Sequence, residues 1–98
     1  MYKVLIKKVG EDICEKTLEN NYKEVQEILN GYFEYIHVID EFYLAVDENG
    51  LLKNLEECIT VNGVTYVGTV IVFRMGKMGG WKSLTKKEIL TLKQLLTV

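Results

Sequence analysis

The stretch Gly31 to Gly50, GYFEYIHVIDEFYLAVDENG, decides the fold of this chain. Two runs rich in aromatic and β-branched residues, Tyr32 to Ile39 and Phe42 to Val46, flank Asp40-Glu41, which is the pattern of an antiparallel hairpin. Glycines close it at both ends. Alternate side chains of a strand point to opposite faces, which puts Phe33, Tyr35 and Ile39 on one side and Tyr32, Ile36 and Val38 on the other. Both faces therefore carry large apolar groups, and the hairpin is expected inside a sheet, partly covered on both sides.

Working outward toward the N-terminus, Tyr2 to Val9 alternates as a strand, Gly10-Glu11-Asp12 turns, and Ile13 to Leu18 reads as a charged edge strand returning on it. A short helix follows, with Asn21 as N-cap, Glu24 three residues on, and Gly31 in the left-handed position that ends it. Its apolar face is Val25, Ile28 and Leu29. Beyond the hairpin, Asp47-Glu48-Asn49-Gly50 is a turn, while Leu51, Leu52 and Leu55 fit either a helical turn or an irregular crossing. Asn62-Gly63 between Cys58 to Val61 and Val64 to Val67 is the strongest short hairpin signal in the chain. Gly68 marks a bend before Thr69 to Phe73, the most apolar strand and the expected sheet centre. Met75 to Lys82 is a glycine-rich loop or hairpin tip. The last helix starts at a capping box, Thr85 with Glu88, beside a Leu84–Ile89 staple, and buries Ile89, Leu92, Leu95 and Leu96. The expected class is α+β: a mostly antiparallel sheet with two packed helices, one after the second strand and one C-terminal.

With 98 residues, 48% of them hydrophobic, the chain reads as one domain, 1–98, able to bury a core without staples. No apolar run approaches the roughly 18 residues of a membrane span, and the N-terminus lacks a signal-peptide core, so the expectation is a soluble, cytoplasmic protein with no membrane partner. Cys14 and Cys58 are expected as two reduced, partly buried thiols. Charge is polarised: residues 74–98 hold six basic residues and one acidic, a net +5, which leaves −7 for residues 1–73. Such a split steers a charged partner to one end of a molecule, or merely solvates a lysine-rich helix face.

Chemistry is scarce. His37 is the only histidine and has no Cys or His at metal spacing, so neither a metal site nor a Ser-His-Asp set is expected, and no cofactor. If Ile39 pairs with Phe42, Glu34 falls opposite Asp47. Asp40-Glu41 then stands about 17 Å away at ~3.3 Å per residue, too far for paired carboxylate chemistry. Glu34, Asp47 and Glu48 are thus candidates for an acidic recognition site, or for a frayed hairpin end in water. Gly76 to Ser83 sits between a strand and a helix like a phosphate-binding loop, but Trp81 stands where the nucleotide-hydrolase motif needs glycine. What remains is a loop whose Lys77, Lys82 and Trp81 can meet a partner, a phosphate or a stacked base. Asn30 to Ile36 misses the RNA-recognition signature, because Phe33 fills its small position and Glu34 its second aromatic one.

Four stretches in order, Lys3-Val4-Leu5-Ile6-Lys7, Leu29-Asn30-Gly31-Tyr32-Phe33-Glu34, Val46-Asp47-Glu48-Asn49-Gly50, and Gly68-Thr69-Val70-Ile71-Val72 with Ser83-Leu84-Thr85, span nearly the whole sequence. In that order and spacing the chain resembles a family of small proteins encoded by phages, plasmids and integrated elements of bacteria, domain of unknown function 3846. It departs from the family pattern at Asn30, at Lys53-Asn54-Leu55 and in the longer loop Met75 to Lys82. The resemblance implies a mobile-element origin and an accessory role. The leading expectation is a non-catalytic binding protein that docks on and inhibits a host defence protein or nucleoprotein complex, in the manner of an anti-CRISPR protein. Its contacts would be Glu34, Asp47, Glu48, Lys77, Trp81 and Lys82. The competing expectation is a nucleic-acid or nucleotide-binding module using the basic C-terminal third. An enzyme is not expected, for want of a nucleophile, base and charge stabiliser that could converge.

Overall fold

The computed structural model describes residues 1–19 and 22–96. In chain order the elements are β1 (Tyr2–Lys7), β2 (Cys14–Leu18), α1 (Tyr22–Leu29), β3 (Phe33–Ile39), β4 (Phe42–Asp47), β5 (Glu57–Val61), β6 (Val64–Val67), β7 (Val70–Met75), β8 (Trp81–Lys82) and α2 (Lys86–Leu96). The main sheet runs β2-β1-β7-β4-β3, every pair antiparallel, and β8 pairs with β7. This is an α+β fold with a helix on each face.

The apolar alternation of the central strands explains the two layers. On β7, Val70 and Val72 point to one face and Ile71 and Phe73 to the other, and all four are at most 1% exposed. The first face is covered by α2 through Ile89 and Leu92, by Leu84 just ahead of that helix, and by the β5–β6 hairpin through Ile59 and Val61. The second is covered by α1 through Val25 and Leu29, over Val4, Ile6, Leu18, Ala45 and Phe73. Strand β1 pairs with β7 only from Leu5 to Lys7. Ahead of that, β8 takes its flank beside Arg74 and Met75, and Lys3 bonds instead to Ser83 Oγ (2.9 Å) and to the Leu84 amide (3.0 Å).

Local signals read from sequence decide several junctions. Asn62 and Gly63 take φ of 52° and 80°, the left-handed pair a two-residue hairpin requires. The α2 capping box forms in both directions, Thr85 N–H to Glu88 Oε1 at 2.9 Å and Glu88 N–H to Thr85 Oγ1 at 3.2 Å. At the α1 C-terminus the left-handed residue is Asn30 (φ 60°), one place earlier than expected, and Gly31 donates its N–H to the Gln26 carbonyl at 3.0 Å. The expected N-cap Asn21 lies outside the described residues. Glu24 accepts the Glu19 N–H at 2.7 Å.

Other expectations are corrected by tertiary structure. The hairpin β3–β4 is not wholly interior: β4 is flanked on both sides, whereas β3 is the sheet edge, with Tyr32 64% and Ile39 55% exposed. Its register is Ile39↔Phe42 as anticipated, but Val38 is bulged out, so Phe33 faces Asp47 and Glu34 faces Val46. Leu51 and Leu52 lie in a turn and are exposed, not in the core. Leu95 also points to solvent, because the α2 stripe in contact with the sheet narrows to Ile89, Leu92 and the half-buried Leu96. Cys14 is exposed rather than partly buried, since its β2 position is an uncovered edge; Cys58 is half-buried, and both are free thiols. None of the described helices is long and apolar enough to cross a membrane.

Candidate functional site

Strand parity assembles the site. Tyr2 of β1, Tyr35 of β3, Phe73 of β7 and Trp81 of β8 all point to the α1 face. Trp81 lies flat on Phe73, with ring centroids 3.8 Å apart and planes 8° apart, and Phe73 is consequently 0% exposed. The Trp81 Nε1–H donates to Tyr35 Oη at 3.0 Å. Tyr35 and Tyr2 stand tilted to the indole at 63° and 59°, with centroids 5.9 and 6.3 Å away. From Tyr35 the cluster continues through Phe33 (5.4 Å) to Tyr22 on the first turn of α1 (4.9 Å from Phe33). Each such pair is worth about 0.5–1.5 kcal/mol beyond its area, so the rings are held in place rather than swinging free.

Between these rings is a 190 Å³ cavity walled by Tyr2, Tyr22, Tyr35 and Trp81 and floored by Leu18 and Val25. Gly79 and Gly80 of the β7–β8 turn complete its rim. Burial pushes the Tyr35 phenol above the ordinary tyrosine range, with Tyr22 adding to the rise and the Trp81 hydrogen bond opposing it. Tyr35 is thus a neutral hydroxyl at any physiological pH.

The acidic trio is not brought together. Glu34 is exposed and points to the α2 face beside Val46, while Asp47 points to the α1 face. Asp47 is buried: its Oδ1 accepts the Asn49 N–H and its Oδ2 accepts Lys53 Nζ, both at 2.8 Å. Lys53 Nζ also donates to the Asn30 carbonyl at 3.0 Å, which ties the end of α1 to the turn after β4. Asp47 is therefore a clamp within the fold. Glu48 is exposed, its N–H spent on the Tyr32 carbonyl at 3.2 Å.

The glycine-rich loop is the tight tip of a β7–β8 hairpin. Gly76 N–H bonds the Gly80 carbonyl at 2.8 Å and Gly79 N–H the Gly76 carbonyl at 2.9 Å, so two of its amides are spent on closing the turn rather than free to cradle a phosphate. Lys77 and Lys82 are exposed at this tip, and Trp81 is half-buried. The basic third is partly neutralised: Arg74 Nε donates to Glu41 (2.9 Å), with Glu88 3.7 Å from its Nη1, and Lys93 pairs with Glu15 at 4.0 Å. His37 stands tilted at 58° to Tyr43, ring centroids 5.1 Å apart, and its Nε2 lies 2.8 Å from the Asp40 carbonyl. Among the described residues no three His, Cys, Asp or Glu side chains converge as a metal site would require.

Of the six residues singled out from sequence, Trp81 alone lines the pocket. Tyr2, Tyr22 and Tyr35 were not singled out. Strand parity groups Tyr35 with Phe33 on one face, as read from the sequence, but the approach of Tyr2 and Tyr22 to Trp81 depends on sheet order, which no local pattern reports. In comparisons with known proteins, no curated protein and no solved structure matches the chain. The family described as Domain of unknown function (DUF3846) matches over residues 2–97. The match covers all but the first and last residues, and the chain belongs to that family.

Proposed function

We propose that this chain is a non-catalytic docking protein that binds a partner protein through the aromatic pocket on its α1 face. The observation that carries the proposal is the set of four aromatic rings around a preformed cavity, three of them on tyrosines whose neighbours in the fold hold them apart. Tyr22 and Tyr35 are 57% and 42% exposed, and tyrosine and tryptophan are the residues most enriched at binding hot spots. Rigid rings lose little entropy on contact, so a pocket of this kind favours recognition. Nothing titratable other than the tyrosine phenols lines it, which argues against acid–base chemistry there.

The concrete version is inhibition of a host defence protein or nucleoprotein complex, in the setting of a mobile element encoding the chain. The support for that setting is the family's resemblance pattern; the support for docking is the pocket. A second reading, nucleic-acid binding through the C-terminal third, is favoured by the exposed lysines Lys77, Lys82, Lys86 and Lys87. Affinity capture from host lysate separates the two. The docking reading expects a stoichiometric protein partner that the Tyr22→Ser, Tyr35→Ser double variant loses and the Lys86→Glu, Lys87→Glu double variant keeps. Recovery of nucleic acid instead, with binding that falls steeply as salt rises and is lost in the lysine variant, would sink it.

A further inference from the structure

We infer that the open edge of β3 pairs, backbone to backbone, with an extended basic segment of a partner protein, which adds an antiparallel strand to the sheet. The inference goes beyond the pocket reading, because it rests on main-chain groups and charge and not on the aromatic rings.

Among the described residues β4 is the one strand that pairs with β3. Two bonds show which groups of β3 are left over. Glu48 N–H donates to the Tyr32 carbonyl at 3.2 Å, and Met75 N–H donates to the Glu41 carbonyl at 2.9 Å. Alternate residues of an antiparallel ladder bond to alternate sides, so Glu41, Tyr43 and Ala45 bond toward β7 and Leu44 and Val46 toward β3. Their partners Ile36 and Glu34 are thus bonded inward, and the N–H and C=O groups of Phe33, Tyr35 and His37 point away from the sheet. No hydrogen bond of the described residues engages those groups. The register is unbroken from Phe33 to His37 and ends at the Val38 bulge, where the Val38 carbonyl accepts Asn62 Nδ2 at 3.4 Å.

The two edges of the sheet are guarded differently. β2 exposes Glu15 and Lys16 at its centre, whereas β3 has no lysine and no proline, and Glu34 is its only Asp, Glu, Lys or Arg. An unguarded edge invites an added strand, and charge selects which. No lysine or arginine stands between Lys23 and Lys53. Of the hairpin's acids Glu41 is met by Arg74 and Asp47 by Lys53, which leaves Glu34 in the strand and Asp40 and Glu48 at its ends exposed and without an ion pair among the described residues. Other cations face elsewhere. Lys23 belongs to α1, across the sheet from Glu34, and Lys93 meets Glu15 at the opposite edge. Lys82 stands on the far side of β7 from β4, roughly 14 Å from β3 at about 4.8 Å per strand, and Lys77 is on the tip joining β7 to β8. That separation exceeds the screening length of about 8–10 Å in physiological salt. A second copy of this chain would set these acids against their own like, whereas a lysine or arginine opposite Glu34 gains a cross-strand pair.

The probe is an acetylated, amidated heptapeptide of alternating lysine and valine, added to the full chain. Amide hydrogen exchange reads the edge directly. In the free chain the amides of Phe33, Tyr35 and His37 should exchange fast and those of Glu34 and Ile36 slowly, and saturating peptide should slow the first three by about tenfold or more. Half-saturation is expected below about 1 mM, and the glutamate–valine counterpart should bind about tenfold more weakly. Glu34→Lys, at an exposed position, should weaken the lysine peptide about fivefold and strengthen the glutamate peptide, with the melting temperature nearly unchanged. With lysine opposite Glu34 the valine N–H groups face β3, so N-methylation of the valines should abolish binding and N-methylation of the lysines should not. Equal binding of the glutamate or N-methylvaline peptide, no saturation up to about 10 mM, or slow exchange of the three amides in the free chain overturns the inference. Protection that rises with protein concentration alone also overturns it, by giving the edge to a second copy. If the peptide fails while the Tyr22→Ser, Tyr35→Ser variant still loses the captured partner, the pocket reading stands and the edge assignment falls.

Discussion

Replacing Trp81 by alanine removes the ring that shields Phe73, and its cost can be worked from the structure. Full burial of a tryptophan makes truncation to alanine cost about 3–5 kcal/mol. Trp81 is only half-buried, which lowers the expected loss to about 2–3 kcal/mol, of which the indole hydrogen bond to Tyr35 accounts for about 1 kcal/mol. Trp81→Phe keeps a ring over Phe73 but not the donor, and should cost about 1 kcal/mol. For a domain of this size, 1 kcal/mol moves the midpoint by about 4–8 °C, so Trp81→Ala should melt about 10–20 °C below the parent, with Trp81→Phe between. Thermal and urea unfolding followed by far-ultraviolet circular dichroism measures this without the lost fluorophore. A loss below about 0.5 kcal/mol for Trp81→Ala, the range of an ordinary surface substitution, would mean that the indole does not rest on Phe73 in solution. The preformed pocket would go with it.

Three further outcomes follow from other contacts. Lys53→Met leaves the buried Asp47 carboxylate with only its Asn49 amide; because Lys53 is itself 38% exposed and water can reach that side, the loss should be about 1–2 kcal/mol by urea denaturation, and an unchanged midpoint would remove the clamp. The raised Tyr35 pKa makes the folded state bind its phenolic proton more tightly than the unfolded chain. That contribution is fully present below about pH 10 and lost as pH rises through the folded value, so wild type should lose stability more steeply than Tyr35→Phe above that pH; parallel curves would refute it. Burial pushes the Cys58 thiol up, with Lys7 opposing, and its Sγ–H donates to the Lys7 carbonyl at 3.3 Å, whereas Cys14 is exposed. Alkylation at neutral pH followed by mass spectrometry should therefore modify Cys14 first and the half-buried Cys58 more slowly; comparable rates would contradict that burial.

What was legible in the sequence was whatever is encoded over a few residues. Asn62-Gly63 specifies its own turn, Thr85 and Glu88 specify their own cap, and Val70 to Phe73 is too apolar to sit anywhere but the sheet centre. The acidic trio failed for one specific reason: a single bulged residue, Val38, moves Glu34 from opposite Asp47 to opposite Val46. One such slip exchanges the faces on which side chains meet. Asp47, read as a surface carboxylate, is drawn inward by a lysine six residues on, in a turn whose shape the composition did not reveal. The pocket was illegible because its four rings come from β1, α1, β3 and β8, and only the order β2-β1-β7-β4-β3 with β8 beside β7 brings them together.

The most direct test of the docking face is site-specific photo-crosslinking in the host cell. Tyr22 at the pocket rim and Leu90 on α2 are 57% and 64% exposed, so a photoreactive phenylalanine analogue at either position samples solvent to a similar degree on opposite sides of the sheet. A protein adduct of defined mass at position 22 with none at position 90 is the result expected here. An adduct confined to position 90, or indistinguishable adducts at both, would place the partner away from the aromatic pocket and contradict its role.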